Sequence, residues 1–301
     1  MKKKIKNKCS HLFLCFLTLV SPKYNFGYRY RKNIGKKMDI NNPKSFNEKI
    51  IWLELNKYIN DPLVVQCSDK YKVREYVQSC GCDELLVPHI GVWESPMSIP
   101  WDKLPERFVL KWNFGAGFNY VCTDKSSCDG EKVIKQMQKW GKSKYWLWYG
   151  EMHYKKIPKK IICEQYISSL NMNGEHKDCS PEDYKFYCFN GKVKYILLCL
   201  NRKGMHADYV FFDPAWNVQP FSAYAIRNKG TINIERPKLL DLAINYAEKL
   251  ALPFPYVRVD LYILSNQIYF GELTFTTCGG VDSDLYEGDA VMGELLDISK
   301  C

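Results

Sequence analysis

The chain has 301 residues, 46% of them hydrophobic and 25% charged, which is ample for a packed core and excludes an intrinsically disordered chain. Its net charge of +10 favours anionic partners: acidic glycans, nucleic acid or an anionic membrane face. Thirteen cysteines without a Cys-x-x-Cys pair, and no histidine at zinc-ligand spacing, exclude a structural zinc site and read as free thiols in a reducing, cytoplasmic compartment.

Residues 1–40 form a basic arm. Lys2, Lys3, Lys4, Lys6 and Lys8 precede an apolar run at 12–20, and Lys23, Arg29, Arg31, Lys32, Lys36 and Lys37 follow it. That run is too short to span a bilayer, and Ser21-Pro22 offers no small-x-small cleavage site. A helix packed on the domain or lying at a membrane surface is the expectation, with peripheral contact to anionic lipid.

Residues 41–106 read as a helical region. Ser45-Phe46-Asn47-Glu48 is a capping box, so a helix starts there and runs to about residue 56. A second helix is predicted over 69–79, with Val73, Tyr76 and Val77 inward and Gly81 ending it. Short strands follow at 85–92, 107–112 and 118–122, then a helix over 129–140. Trp146-Leu147-Trp148-Tyr149 and Tyr154 read as packing between subdomains. A strand at 161–167 closes the segment 107–167.

Segment 168–301 opens on a polar stretch, 168–181, read as a mobile loop. Asn190-Gly191 between apolar runs signals a two-residue hairpin. A strand at 209–212 and a helix over 237–250 follow, the helix turning Leu239, Leu242, Ala243, Tyr246, Ala247 and Leu250 inward. Last come two strands, 256–264 and 268–274. In the first, Arg258 and Asp260 share a face; in the second, alternation groups Ile268, Phe270, Glu272 and Thr274. Charges placed among core residues require partners, and two carboxylates on adjacent strands suit a divalent cation that also takes phosphate oxygens. No repeat or low-complexity linker interrupts this α+β pattern.

Arg258-x-Asp260, a short turn and Glu272-x-Thr274 resemble the metal-binding hairpin of the ATP-grasp enzymes. Upstream, in matching order, stand Asp69-Lys70, the strand 108–111 ending in Lys111, the loop Gly115-Ala116-Gly117, Glu164-Gln165-Tyr166-Ile167, and Asp183-Tyr184-Lys185-Phe186 with Asn190-Gly191. The phrases 42–49, 69–77, 183–186 and 271–275 resemble the TupA-like branch, named for teichuronopeptide biosynthesis. The resemblance runs from about residue 25 to the C-terminus. It implies an ATP-grasp fold, two α+β subdomains gripping ATP, and a ligase that joins a carboxylic acid of a surface-polysaccharide precursor to an amine.

The resemblance also assigns roles. Lys70 and Lys111 contact phosphates beneath the loop Gly115-Ala116-Gly117, which lacks both the dinucleotide fingerprint and the P-loop ending. Glu164 takes the adenine amino group, backbone groups of Tyr166 and Ile167 read the ring edge, and Asp183 holds the ribose. Lys185 reaches phosphate or substrate, Arg258 stabilises the transferred phosphoryl group, and Asp260, Glu272 and Thr274 hold Mg²⁺. Asp282-Ser283-Asp284 offers a glycosyltransferase-like alternative, a phosphotransferase would use the same ATP site, and no nucleic-acid recognition motif supports that partner.

Strand parity makes the hairpin reading exacting. A three-residue loop, Ser265-Asn266-Gln267, pairs Leu264 with Ile268, and so sets Asp260 opposite Glu272 and Arg258 opposite Thr274. It also requires Asn266 or Gln267 to accept a left-handed conformation. A two-residue turn moves Glu272 to the wrong face unless a bulge restores the phase.

Overall fold

The computed structural model describes residues 2–168, 182–203 and 206–301, the side chains of 2–9, 201–203, 206 and 300 excepted. The loop expected at 168–181 therefore lies, from residue 169 on, outside the described residues. Helices α1 (Lys2–Val20) and α2 (Pro22–Ile34) precede α3 (Phe46–Asn56), α4 (Pro62–Ser68) and α5 (Val73–Ser79). Next come β1 (His89–Trp93), β2 (Phe108–Trp112), β3 (Asn119–Cys122), α6 (Gly130–Gly141), α7 (Tyr145–Tyr149) and β4 (Ile161–Gln165). The remainder holds β5 (Asp183–Phe189), β6 (Lys192–Lys203), β7 (His206–Phe212), β8 (Val218–Gln219), α8 (Ala223–Arg227), α9 (Leu240–Ala251), β9 (Tyr256–Ile263), β10 (Ile268–Thr274) and α10 (Glu287–Leu295).

Two antiparallel sheets organise the α+β fold. One runs β1-β4-β2-β3 and the other β10-β9-β5-β6-β7-β8. On the first, Phe108, Leu110, Trp112 and Ile161 bury against Val133 and Met137 of α6. On the second, α9 and helices α3–α5 pack into one large core with Phe186, Phe189, Tyr256 and Val259. The first sheet thus takes in β1 from ahead of residue 107, while α3–α5 belong to the core of the second and α2 forms a smaller cluster with Ile51 and Val281.

Local chemistry explains where elements start. Ser45 and Glu48 form the anticipated capping box on α3. Asn190 (φ 49°) and Gly191 (φ 73°) make the left-handed pair that the β5–β6 hairpin needs. The second helix begins at Val73 rather than Asp69. The Asp69 carboxylate accepts from the backbone N–H of Tyr71 (2.8 Å) and Lys72 (3.3 Å) and from Asn113 Nδ2 (2.8 Å), which holds 69–72 as a turn against the first sheet. A single helical turn at Asp83–Leu85 likewise delays β1 to His89. Helix α9 begins at Leu240, after a turn closed by its N–H on the Pro237 carbonyl, and this rotates the inward face. Leu240, Ala243, Ala247 and Leu250 are buried, Leu239 and Tyr246 only partly, and Leu242 is exposed. The described cysteines are free thiols, with Cys122 and Cys128 sulfurs 3.3 Å apart.

The β9–β10 hairpin adopts the bulged alternative. Leu264 N–H bonds the Gln267 carbonyl at 2.8 Å, so Ser265-Asn266 is a two-residue turn, and Ile263, Tyr262 and Leu261 face Ile268, Tyr269 and Phe270. Neither Asn266 nor Gln267 has positive φ. The register then shifts between Phe270 and Glu272, after which Glu272 faces Asp260 and Thr274 faces Arg258. Ile268 and Phe270 therefore share the side of Ile263 and Leu261, not that of Glu272 as simple alternation had it. Gly271 is the inserted residue, and a Cβ there would lie 2.9 Å from the Asp260 carbonyl oxygen.

This generates a stability prediction. Gly271→Ala forces the two strands apart at the bulge and is expected to cost about 1–3 kcal/mol, the usual range for overpacking. Urea unfolding should show a lower midpoint with unchanged m-value; an unshifted midpoint would show that the strands yield freely there.

Candidate active site between the two sheets

The cleft between the sheets is lined by Lys70, Arg74, Lys111, Ala116, Gly117, Asn119, Glu164, Asp183, Lys185, Asp260, Tyr262 and Glu272, with Ile162, Val87 and Phe270 among its apolar walls. One wall comes from β2 and β4. Lys111 leaves β2 where the strand ends, and its Nζ donates to Glu164 Oε2 at 2.6 Å, while Arg74 of α5 reaches Glu164 Oε1 at 3.4 Å. Glu164 thus makes the structural pairing with a lysine that an acid in an apolar strand demands.

The opposite wall is the hairpin with β5. Arg258 forks onto Asp260, Nε to Oδ1 and Nη2 to Oδ2, both at 2.7 Å. Its Nη2 also reaches Thr274 Oγ1 at 3.1 Å and Glu272 Oε1 at 3.4 Å, and Thr274 Oγ1 donates to Glu272 Oε1 at 3.1 Å. Lys185, opposite Asp260 on β5, donates to Asp260 Oδ2 at 2.7 Å and to Asp183 Oδ2 at 2.5 Å. Lys70 ties the walls together: its Nζ donates to the Gly115 carbonyl at 2.7 Å and lies 3.5 Å from Glu272 Oε2.

The anticipated residues do not all enter the cleft. Arg258 and Thr274 stand behind Asp260 and Glu272 as their partners. Gly115 supplies its carbonyl to Lys70, and at φ 64° a Cβ would lie 2.7 Å from the Tyr145 ring. Tyr166 and Ile167 are not among the lining residues, and the Arg107 guanidinium sits over the Tyr166 ring at 4.9 Å. Asp282 and Asp284 do not form a paired-carboxylate motif, since Asp282 Oδ1 accepts from the Asp284 N–H at 3.0 Å as a turn.

Arg74 of the cleft was missed, as was the packing of Arg29, which does not line the cleft, against Tyr149. Arg74 carries a weak signal, since α5 must turn one side towards the second sheet and the other towards the cleft. Arg29 carries none, lying 120 residues from the Tyr149 carbonyl that its Nη1 meets at 2.8 Å. Among the described residues Arg29 makes no ion pair, and burial pushes its guanidinium pKa down, with Glu151 opposing. A Cβ on Gly279 would lie 2.8 Å from Arg29 Nη2, and the neighbouring Cys278 thiol feels both Arg258 and Lys185. Arg29 therefore stands one loop beyond Arg258, on the side of the hairpin's exit.

Among the described residues no three His, Cys, Asp or Glu side chains converge as a metal cage. The donor set still fits Mg²⁺, which takes one or two carboxylates and fills its remaining positions with water and phosphate oxygens. Asp260 and Glu272 supply hard oxygens on one face, and Glu272 Oε2 has only the Lys70 ammonium at 3.5 Å. Desolvation would raise the Glu272 carboxyl, but Lys70, Arg258 and Lys185 outweigh it and hold it at about 2. Burial raises the deeper Asp260 carboxyl, with Arg258 and Lys185 opposing.

The Glu272 shift sets a pH dependence. A carboxyl whose pKa falls on folding stabilises the fold above its unfolded value near 4.5, and that contribution fades as pH drops towards 2. The side chain is 36% exposed, so solvent screening limits the size of the effect. Wild type and Glu272→Gln should differ in urea midpoint at about pH 6, and the difference should shrink below about pH 4.5 and vanish only near pH 2; a pH-independent difference would remove the cations as its cause.

The family model for TupA-like ATP-grasp proteins matches residues 48–297. No curated protein matches the chain. Among solved structures, an ADP complex of N5-carboxyaminoimidazole ribonucleotide synthetase is similar at 13% identity and a TM-score of 0.45, covering 76% of this chain and 50% of that one. D-alanine-D-alanine ligase from Helicobacter pylori is similar at 11% identity and a TM-score of 0.42, covering 77% and 59%. The ATP-grasp ligase PsnB with a minimal precursor gives 10% identity and a TM-score of 0.40, covering 79% and 62%. The chain spans half the length of the first of these. With the family match extending over most of its length, the chain belongs to the TupA-like ATP-grasp family.

Proposed function

We propose that this protein is an ATP- and Mg²⁺-dependent carboxylate–amine ligase acting on an acidic precursor of a surface polysaccharide. The observation that carries the reading is the convergence of Lys70, Lys111 and Lys185 with Asp260 and Glu272 on one cleft between two sheets, with Arg258 forked onto Asp260 from behind. A triphosphate needs several cations held at fixed positions, and Lys111 and Lys70 flank the loop Gly115-Ala116-Gly117 that closes one end. Glu164 and Asp183 would serve the adenine amino group and the ribose.

Asp260 and Glu272 would hold Mg²⁺, which supplies neutralisation of charge on the phosphates. The substrate carboxylate attacks the γ-phosphorus, the bond to the β-phosphate oxygen breaks, and ADP leaves. The amine then adds to the acyl carbon and phosphate departs, with the amine proton passing to solvent or phosphate. No side chain becomes a nucleophile. The work of the chain is positioning and electrostatics: Arg258, fixed by its fork on Asp260, stabilises charge on the transferred group, and Lys185 neutralises its far side.

Two measurements test the reading. MgATP should raise the melting temperature, and ADP release should require both a uronic-acid-bearing glycan and an amino acid or amine. Stabilisation by UDP-sugars and not by ATP would overturn it in favour of glycosyl transfer; ADP release with a hydroxyl acceptor alone would indicate a phosphotransferase. Lys111→Ala should fold normally, because Arg74 still accompanies Glu164, yet bind ATP about 10-fold or more weakly, since a charge-assisted contact contributes about 1.5–3 kcal/mol. Unchanged affinity in the folded variant would remove Lys111 from the phosphate site.

A further inference from the structure

Helix α1 has two unlike faces. Asn25 of α2 is fully buried and donates through Nδ2 to the Leu14 carbonyl (3.1 Å), Thr18 Oγ1 (2.7 Å) and the Trp148 carbonyl (3.1 Å), and His11 meets the Trp148 ring at 5.1 Å. These contacts hold the inner face of α1 on α2 and α7. The outer face carries Leu12 (63% exposed), Phe13, Phe16 (60%), Leu19 (70%) and Val20. At 100° per residue these five fall within an arc of about 120°, a continuous apolar stripe. Tyr24 and Tyr28 of α2 extend it, both exposed, with Phe13 against the Tyr28 ring at 5.1 Å. A patch of this kind on a folded protein marks an interaction surface.

Charge identifies the occupant. The first acidic residue of the chain is Asp39, and eleven of the 43 lysines and arginines precede it. The rest holds 32 cations against 33 anions, so the net +10 resides entirely in the segment that carries the apolar stripe. Five of those cations, Lys2, Lys3, Lys4, Lys6 and Lys8, lie in the first two turns of α1 itself. Apolar area with adjoining lysines and tyrosines fits the interface of an anionic bilayer, where acyl chains take the first, headgroups the second and the glycerol region the third. A soluble polyanion would leave the stripe uncovered, and a second copy would bring eleven like charges against eleven. No described helix is long and apolar enough to cross a membrane.

We propose that the outward face of α1, with Tyr24 and Tyr28, docks this protein on the surface of an anionic lipid bilayer, lying in the interface. The site is separate from the cleft and stands whatever reaction the cleft performs.

The test is co-sedimentation of the full chain with vesicles of phosphatidylglycerol and of phosphatidylcholine at low and high salt, alongside light scattering. Binding to phosphatidylglycerol should exceed that to phosphatidylcholine about 10-fold and weaken with salt. The pair Phe16→Glu and Leu19→Glu should lose that binding about 10-fold with an unchanged melting temperature, since both side chains project into solvent. Replacing the five N-terminal lysines by glutamine should reduce binding and flatten its salt dependence. Equal binding of wild type and the Phe16→Glu/Leu19→Glu variant, equal binding to both lipids, or a dimer that this variant dissolves without any vesicle binding would each overturn the proposal.

Discussion

The phase of one hairpin governs the chemistry of the cleft. Asp260 and Glu272 can meet only if β10 gains one residue on β9 between the turn and the site, and Gly271 is that residue. Without the insertion Glu272 would turn towards Leu261 and Val259, where a carboxylate finds no cation and burial costs several kcal/mol. Phe270, on the turn side of the insertion, faces Leu261 either way. The bulge thus satisfies the packing of the outer half of the hairpin and the electrostatics of the inner half at once. Glycine is required because the backbone of β9 approaches where a side chain would begin.

Given that phase, cations and carboxylates alternate through the cleft: Asp183, Lys185, Asp260, Arg258, Glu272 and Lys70 form one chain of contacts, and Arg74, Glu164 and Lys111 a second. Each cation already has an anionic partner, so a phosphate that enters exchanges one partner for another and does not strip a hydrated ammonium. The arrangement keeps side chains in place before any ligand arrives, which lowers the entropy lost on binding. The Thr274 hydroxyl, bonded to both Arg258 and Glu272, orients the pair without adding charge.

Most of this was legible in the sequence where chemistry is local. The capping box at Ser45, the Asn190-Gly191 turn and the alternation in β9 each follow from a few neighbouring residues, and the structure keeps them. The start of the second helix was not legible, because Asn113, forty-four residues away, completes the Asp69 turn. The inward face of α9 slipped because a proline marks a helix start only to within a turn. The grouping of Phe270 with Glu272 failed for a different reason: strict alternation has no place for a bulge, although parity showed that some irregularity or an odd loop was needed. The charged lining of the cleft draws on residues the sequence singled out, whereas the place of Arg29 depends on how α2 packs on α7.

Charge distribution separates two properties that the bulk figure merges. A net +10 spread over the molecule would draw any polyanion to any face, the cleft included. Confined ahead of Asp39, the excess leaves a body of 32 cations and 33 anions, close to neutral. Attraction of an anion to the cleft would then rest on Lys70, Arg74, Lys111 and Lys185 at short range and not on the field of the whole chain. At physiological ionic strength fields decay over about 8 Å, so the cluster of lysines that opens α1 and the cations of the cleft act on different partners. Arg29 is one of the cations ahead of Asp39, yet its guanidinium is turned inward against Gly279 and Tyr149. The placement of α2 thus removes one cation of the arm from the surface.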